Sequence, residues 1–163
     1  MLDALQVGLK AWLWPGISAI LSVVVTYAIY RGALAAFRHF SESRAVLRLF
    51  VDAAAGALGA VFPLLALTGT LASAPPDLPL ITGIHHTATL LLVLAITWAT
   101  VRLTSAIGEV IVALNPVLEG EWKRARKVET QTRFLVRALK ILIVIIGLGA
   151  ALMLSLIHIS EPT

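Results

Sequence analysis

Residues 134–153 read FLVRALKILIVIIGLGAALM, and this stretch decides the class of fold. Apart from Arg137 and Lys140 it is apolar, over a length that matches the roughly 20 residues needed to cross a bilayer as a helix. Gly147 and Ala151 stand four positions apart, and such small pairs let helix backbones approach closely in lipid. The stretch is therefore predicted to be a transmembrane helix.

Three more apolar runs precede it, at residues 12–37, 50–74 and 86–114. The composition agrees, because 59% of the 163 residues are hydrophobic and only 13% are charged. Soluble domains have about 45–50% apolar and about 25% charged residues. The sequence therefore predicts an all-α integral membrane protein with about four transmembrane helices and no room for a folded soluble domain.

The first apolar run has an alternative interpretation as a cleaved signal peptide. Ala33, Leu34 and Ala35 resemble a cleavage site. The run is longer than the 7–15 residues of a signal-peptide core, however, and Arg31 stands just before the small residues. A retained helix is therefore favoured.

The second run is rich in small residues and contains a proline. Ala55 and Gly59, and Gly56 and Ala60, form pairs four positions apart that favour close helix packing. Pro63 removes one backbone donor and predicts a kink. The candidates for helix packing are Gly56, Gly59, Pro63, Gly147 and Ala151.

The charges of the connecting segments predict the orientation. Arg38, Arg44 and Arg48 follow the first helix, and a denser group of Lys and Arg residues follows the third. The connection after the second helix carries Asp77 and no Lys or Arg. Short connections rich in Lys and Arg stay in the cytoplasm. We therefore expect a multi-pass protein of the bacterial inner membrane with its N-terminus outside.

A basic segment leads into the fourth helix. Residues 121–140 read EWKRARKVETQTRFLVRALK, and basic side chains recur there at steps of three or four, on one helical face. Each Lys or Arg beside anionic headgroups adds about 1 kcal/mol of attraction, so membrane lipids are the predicted partner and nucleic acid is not. This face is either an ordinary topological anchor or an element whose register responds to membrane tension. The candidates for headgroup contact are Lys123, Arg126, Lys127, Arg133, Arg137 and Lys140.

Residues 126–133, RKVETQTR, are followed by Arg137, Leu139 and the apolar run ILIVIIGLGAALM. On these residues the stretch 122–152 resembles the small-conductance mechanosensitive (MscS-like) channel family, in which a basic segment with Thr-Gln precedes the helix before the pore helix. The resemblance implies a homo-oligomer, a heptamer, that conducts ions when membrane tension rises. It also implies that the last two helices form a lipid-facing, tension-sensing paddle.

The end of the chain departs from that family. Residues 154–163, LSLIHISEPT, look like translated sequencing-adaptor sequence, where the family continues into a pore helix and a cytoplasmic vestibule. We therefore expect a truncated channel subunit: a three-helix region at 1–114, a basic connection and pre-pore helix at 115–153, and an artefactual tail at 154–163. Two alternatives stay open, a non-conducting helical membrane module and a fragment of a secondary transporter, which needs a repeated pair of interrupted helices.

Catalytic and cofactor chemistry is not expected. The chain has no cysteine, no Walker loop, no HExxH or GxSxG motif and no glycine-rich dinucleotide fingerprint. His85 and His86, at the start of the third helix, have no histidine at matching depth on another helix, so haem ligation is not expected.

Ionisable residues also occur within the second and third predicted spans. Arg102 and Glu109 share one face in the cytoplasmic half of the third helix, where interfacial anchoring is favoured over an ion pathway. Asp52 is predicted to begin the second helix, where a carboxylate interacts favourably with the helix N-terminus.

Overall fold

The computed structural model describes residues 2–41, 45–75, 80–114 and 122–159, with side chains described within 12–40, 47–75, 80–114 and 126–156. The described residues form four helices and no strand: α1 spans Leu2–Ser41, α2 Ala45–Ala72, α3 Ile81–Ala113 and α4 Trp122–Ile159. The predicted all-α fold is therefore confirmed. Arg44 and Asp77 lie outside the described residues, as does the side chain of Lys123.

Each helix contains an apolar span long enough to cross a bilayer. The spans are Trp12–Phe40, Leu47–Ala72, Ile81–Ala113 and Arg126–Leu156. The shortest has 26 residues, which is about 39 Å at about 1.5 Å per residue, against about 30 Å for the hydrocarbon core. The chain is a multi-pass α-helical membrane protein.

The helices extend beyond their apolar runs. α1 begins at Leu2 rather than near Trp12, and α3 begins at Ile81 rather than near His86. Each added helical residue brings one more internal hydrogen bond, so a formed helix readily continues past its apolar part. α2 is continuous through Pro63, which therefore does not interrupt the helix.

α4 is one uninterrupted helix that joins the basic segment to the fourth apolar run. It begins at Trp122 and continues to Ile159, as the basic-then-apolar pattern predicts. Residues 154–159 of the expected artefactual tail are thus helical. Their origin stays a prediction.

The helices form an open row rather than a closed bundle. Among the described residues, backbone contacts join α1 to α2, α2 to α3 and α3 to α4, and no other pair. A small core lies where α2 ends and α3 begins, with Leu71, Ile81 and Ala88 buried together and Trp12 of α1 packed against them.

The two outer helices leave most of their apolar surface uncovered. Ile29 of α1 is 67% exposed, and Phe134 and Leu152 of α4 are 76% and 69% exposed. Lipid tails are as apolar as leucine, so such faces are stable in a bilayer without a protein partner. The exposure agrees with a membrane protein and would be unfavourable in a protein surrounded by water.

One end of the row carries the basic side chains. Neighbouring helices run antiparallel, so the C-terminal halves of α1 and α3 lie beside the N-terminal halves of α2 and α4. We call this the basic end. The Lys and Arg side chains that the structure describes all belong to it: Arg31, Arg38, Arg48, Arg102, Arg126, Lys127, Arg133, Arg137 and Lys140.

Candidate functional site

Two glycines make the contact between α3 and α4. Gly108 of α3 lies against Val136 of α4, and a Cβ atom on Gly108 would come within 2.7 Å of Val136 Cγ2. Gly147 of α4 is buried against Thr97 of α3, where a Cβ atom would clash with the threonine Oγ1 and Cγ2. Because neither position has space for a side chain, the two glycines set the distance between these helices.

A groove opens between α3 and α4 toward the basic end. Its volume is about 590 Å³, and both helices contribute polar and apolar residues to its wall. We call it the basic groove. It is lined by Ser105, Gly108, Glu109, Val112 and Ala113 of α3 and by Thr132, Arg133, Val136, Arg137 and Lys140 of α4.

The basic groove carries a net positive charge. Arg133, Arg137 and Lys140 line one wall, and Glu109 is the carboxylate on the other. Arg133 also pairs with Glu129 of its own helix, with Nη2 2.8 Å and Nε 2.9 Å from Glu129 Oε1. The arginine side chain is 75% exposed, so this pair contributes at most about 1 kcal/mol. A guanidinium has five N–H donors, so the pair leaves donors for a phosphate group.

The structure divides the basic residues predicted to contact headgroups into two sets. Arg133, Arg137 and Lys140 line the basic groove and so face α3. Arg126 and Lys127 do not belong to its lining. Contact with headgroups stays a prediction for both sets and for Lys123.

Gly108 is a packing residue that the sequence analysis misses. It is buried in α3, four positions after Thr104, which is also buried. Threonine counts as a small residue at membrane helix contacts, so Thr104 and Gly108 are themselves a small pair at the diagnostic spacing. This pair is visible in the sequence once threonine is counted with Gly and Ala as a small residue.

The contact between α1 and α2 centres on Tyr30. Its hydroxyl donates a hydrogen bond to the carbonyl oxygen of Ala55. Its ring lies over Gly59, where a Cβ atom would be 3.2 Å from Tyr30 Cε1, and packs on Phe62 with the ring centroids 5.6 Å apart. This contact combines a polar bond with close packing, whereas the α3–α4 contact rests on glycine alone at both points described above.

The residues predicted to pack helices have different surroundings. Gly59 and Gly147 lie at helix–helix contacts, and Pro63 and Ala151 are half-buried. Gly56 is exposed, and a Cβ atom there would meet nothing within 4 Å. The small surface around Gly56 is therefore open in the single chain.

The prediction for Asp52 is wrong. α2 begins at Ala45, so Asp52 lies beyond the first turn, where the helix N-terminus acts most strongly on a carboxylate. Its partner is instead Arg38 of α1, with Nη2 3.1 Å and Nε 3.2 Å from Asp52 Oδ1. Asp52 thus contributes an ion pair between two helices.

Arg102 and Glu109 lie in separate environments. The Arg102 guanidinium is 5.7 Å from the Trp98 ring centroid, a cation–π arrangement, whereas Glu109 belongs to the basic groove. His85 and His86 are half-buried near the start of α3. Among the residues that the structure describes, no three potential metal ligands come together.

The fold and the groove define a class of protein: a multi-pass α-helical membrane protein with a basic groove in its last helix pair. No protein family, curated protein or solved structure matches this chain. A finer function has to follow from the residues themselves.

Proposed function

We propose that this chain is the membrane-embedded part of a subunit of a mechanosensitive ion channel of the MscS-like kind. In the intact subunit a pore helix and a cytoplasmic vestibule would follow, and this part alone would not conduct. The proposal is supported by the resemblance of residues 122–152 and by the arrangement of α3 and α4. No enzymatic activity is proposed.

The placement of α4 carries the proposal. Among the described helices α4 contacts only α3, and only 6% of the most apolar part of its span is buried. α1 is equally uncovered, and the resemblance of residues 122–152 is what selects α4. Lipid or another subunit therefore covers most of the surface of α4 in a membrane. A helix held in this way experiences changes in the bilayer directly, since packing against lipid is part of what positions it.

Membrane tension favours whichever state of a protein occupies more area in the plane of the bilayer. A ligand shifts an equilibrium only as far as its affinities for the two states differ. Tension likewise shifts it only as far as the two states differ in area. In the proposed mechanism, headgroups bound by Arg133, Arg137 and Lys140 hold the basic end of α4 at the interface, with about 1 kcal/mol per charge. Tilting of α4 on its glycine contacts with α3 would then increase the area.

The proposed orientation places the basic end in the cytoplasm of a bacterial inner membrane and the start of α1 outside. Because the chain has no cysteine, single introduced cysteines report the orientation cleanly. A cysteine at Ser73 should react with a membrane-impermeant maleimide in intact cells, and one at Phe40 only after permeabilisation. The opposite pattern would contradict the orientation.

The exposed faces of α1 and α4 suit contacts between subunits of a homo-oligomer, which by the family resemblance is a heptamer that passes ions. A transporter fragment is less well supported, because α2 is continuous through Pro63 and the described residues contain no interrupted helix. A non-conducting membrane module is the stronger alternative. It would use the same uncovered faces to bind partner helices.

The deciding experiment is patch recording of the proposed intact subunit, in which the gene continues past the codon for Met153 without the adaptor-like segment. The recording uses a bacterial strain without mechanosensitive channels of its own. The proposal predicts a current that appears only when the patch is stretched. If no current appears up to the tension that ruptures the patch, the channel proposal fails and the non-conducting module takes its place.

Two double variants test whether the basic groove sets the tension at which that current appears. Neutralising Arg133 and Arg137 (R133Q/R137Q) should shift the tension threshold, because both side chains line the groove. The control R126Q/K127Q removes the same charge from exposed positions outside the lining and should shift it less. An unchanged threshold in R133Q/R137Q would exclude the proposed role of the groove.

A further inference from the structure

A second groove lies between α1 and α2, and the channel proposal does not use it. Its volume is about 490 Å³, and Trp98 of α3 contributes to its wall. Two tyrosines of α1, Tyr27 and Tyr30, also line the wall, and the small residues around Gly56 form part of the lining on α2. We call this the aromatic groove. Its lining contains two charged residues, Arg31 and Arg38 of α1.

Arg31 lies within the apolar span of α1. The span Trp12–Phe40 has 29 residues and is about 43 Å long at about 1.5 Å per residue. Arg31 lies nine residues before Phe40, about 13 Å along the helix and within that span. Charged residues within a span face a cavity or a partner, because contact with bare lipid is unfavourable.

Arg31 has no carboxylate partner in the part of the chain that the structure describes, whereas Arg38 of the same groove pairs with Asp52. A smaller cavity of about 320 Å³ shares Arg31, Leu34 and Arg38 with the aromatic groove and extends to His39. The two cavities, together called the recess, lie along α1 between His39 and Arg31. The recess gives a polar group access to this arginine from the interface.

We propose that the aromatic groove binds one anionic phospholipid, with its phosphate on Arg31 and an acyl chain on the small surface around Gly56. The guanidinium fork matches two phosphate oxygens, and the recess brings the headgroup to it. Local thinning of the bilayer and the reach of the arginine side chain close the remaining distance between headgroup and guanidinium. The surface at Gly56 has space for a chain, because a Cβ atom there would meet nothing within 4 Å.

A helix from a second copy is a poorer occupant of this groove. It would cover Arg31 with apolar surface and leave a buried charge without a counter-ion, which is strongly unfavourable. A phospholipid instead supplies the missing negative charge and the apolar chain together. The inference depends on the membrane fold and is independent of the channel proposal.

Trp98 reports directly on the occupant because it lines the groove and is 44% exposed. In the full chain carrying W12F, W14F and W122F, Trp98 is the only tryptophan left. We would reconstitute this protein in phosphatidylcholine vesicles and add phosphatidylglycerol or phosphatidylcholine with brominated acyl chains, which quench tryptophan on contact. Brominated phosphatidylglycerol should reach half-maximal quenching at an about fivefold lower mole fraction than brominated phosphatidylcholine, the factor expected for one favourable charge contact.

Four variants assign the preference to the groove. R31Q should make the two quenching curves coincide, and R31K, which keeps the charge, should retain most of the difference. R48Q is the matched control, since Arg48 is exposed on α2 and outside the groove lining. G56L fills the open surface, where a Cβ atom would meet nothing within 4 Å, and should abolish the preference although Arg31 is present.

Three results would overturn the proposal. Coincident curves in the parent protein would show that the groove does not select an anionic lipid. A preference that survives R31Q would place the selection elsewhere. Weak quenching by both lipids would mean that protein covers Trp98, which is the outcome expected for a second copy in the groove.

Discussion

Among the contacts described by the structure, the two outer helices of the row meet their neighbours in different ways. Tyr30 joins α1 to α2 through a hydrogen bond to the Ala55 carbonyl, and Arg38 adds an ion pair with Asp52. α4 approaches α3 closely at Gly108 and Gly147, where the contacts are with the side chains of Val136 and Thr97.

This difference matters because the hydrophobic effect does not drive helices together inside a bilayer, so packing and polar contacts hold them. A hydrogen bond needs its donor and acceptor in one geometry, so it fixes the register of the two helices. A glycine contact fixes only the distance of approach at one point and leaves the crossing angle to the surrounding packing. We therefore expect α1 and α2 to move as one unit and α4 to be able to tilt against α3.

The largest effect is expected from filling the glycine contact. In Gly147→Leu the new side chain would overlap Thr97, and overpacking of this kind costs about 1–3 kcal/mol. Cysteines at Val112 and Thr132, which line the basic groove from opposite helices, report the α3–α4 contact through crosslinking by a bifunctional maleimide. Mass spectrometry of the intact protein should show several-fold less crosslinking in G147L than in the parent.

Gly56→Leu is the matched control for that experiment. It makes the same substitution where a Cβ atom meets nothing within 4 Å, so crosslinking between α3 and α4 should be unchanged. Undiminished crosslinking in G147L would mean that the glycine does not set the distance between the helices.

A smaller effect is expected at the tyrosine. Tyr30→Phe removes the hydroxyl bonded to Ala55 but keeps the ring over Gly59 and Phe62. Side-chain hydrogen bonds between membrane helices contribute about 0.6 kcal/mol on average and at most about 1.7 kcal/mol. The free energy of unfolding in mixed detergent micelles should fall by an amount in that range. Tyr27→Phe, at a half-exposed position in the same helix, is the control and should change it less.

The smallest effect is expected at the ion pair. The side chains of Arg38 and Asp52 are 53% and 51% exposed, and exposed pairs contribute about 0–1 kcal/mol. Asp52→Asn should lower the free energy of unfolding by less than Tyr30→Phe does. The difference in unfolding free energy between D52N and the parent should disappear in high salt, which screens exposed charges. A loss in D52N that exceeds the loss in Y30F would reverse the proposed order of the two contacts.

The sequence is sufficient to predict the four helices and the continuity of α4, because both follow from long apolar runs and from the basic segment joined to the last one. It also selects Gly59 and Gly147, which lie at helix contacts. The prediction of the helices succeeds because composition and spacing are local properties of a membrane helix.

The sequence does not predict the open row or the partners of particular residues. In lipid the face that packs on protein and the face that contacts lipid are equally apolar, so hydrophobic periodicity does not tell them apart. For this reason Gly56 and Gly59 look alike in sequence, whereas one is exposed and the other lies under Tyr30. The same limit applies to charge, because the pattern places Arg133, Arg137 and Lys140 on one face without showing that this face lines a groove shared with α3.

The most direct test of the account compares the two outer helix pairs under membrane tension. The chain has no cysteine, so paired spin labels can be placed at exposed positions near the basic end, at Ile107 and Leu135 for α3–α4 and at Phe37 and Leu49 for α1–α2. Their distances would be measured by pulsed electron paramagnetic resonance in liposomes, before and after lysophosphatidylcholine is added to one leaflet to mimic tension. If α4 responds to tension, the α3–α4 distance changes by several ångströms while the α1–α2 distance stays constant. If neither distance changes, or if α1–α2 moves while α3–α4 does not, the assignment of α4 as the tension-responsive helix is contradicted.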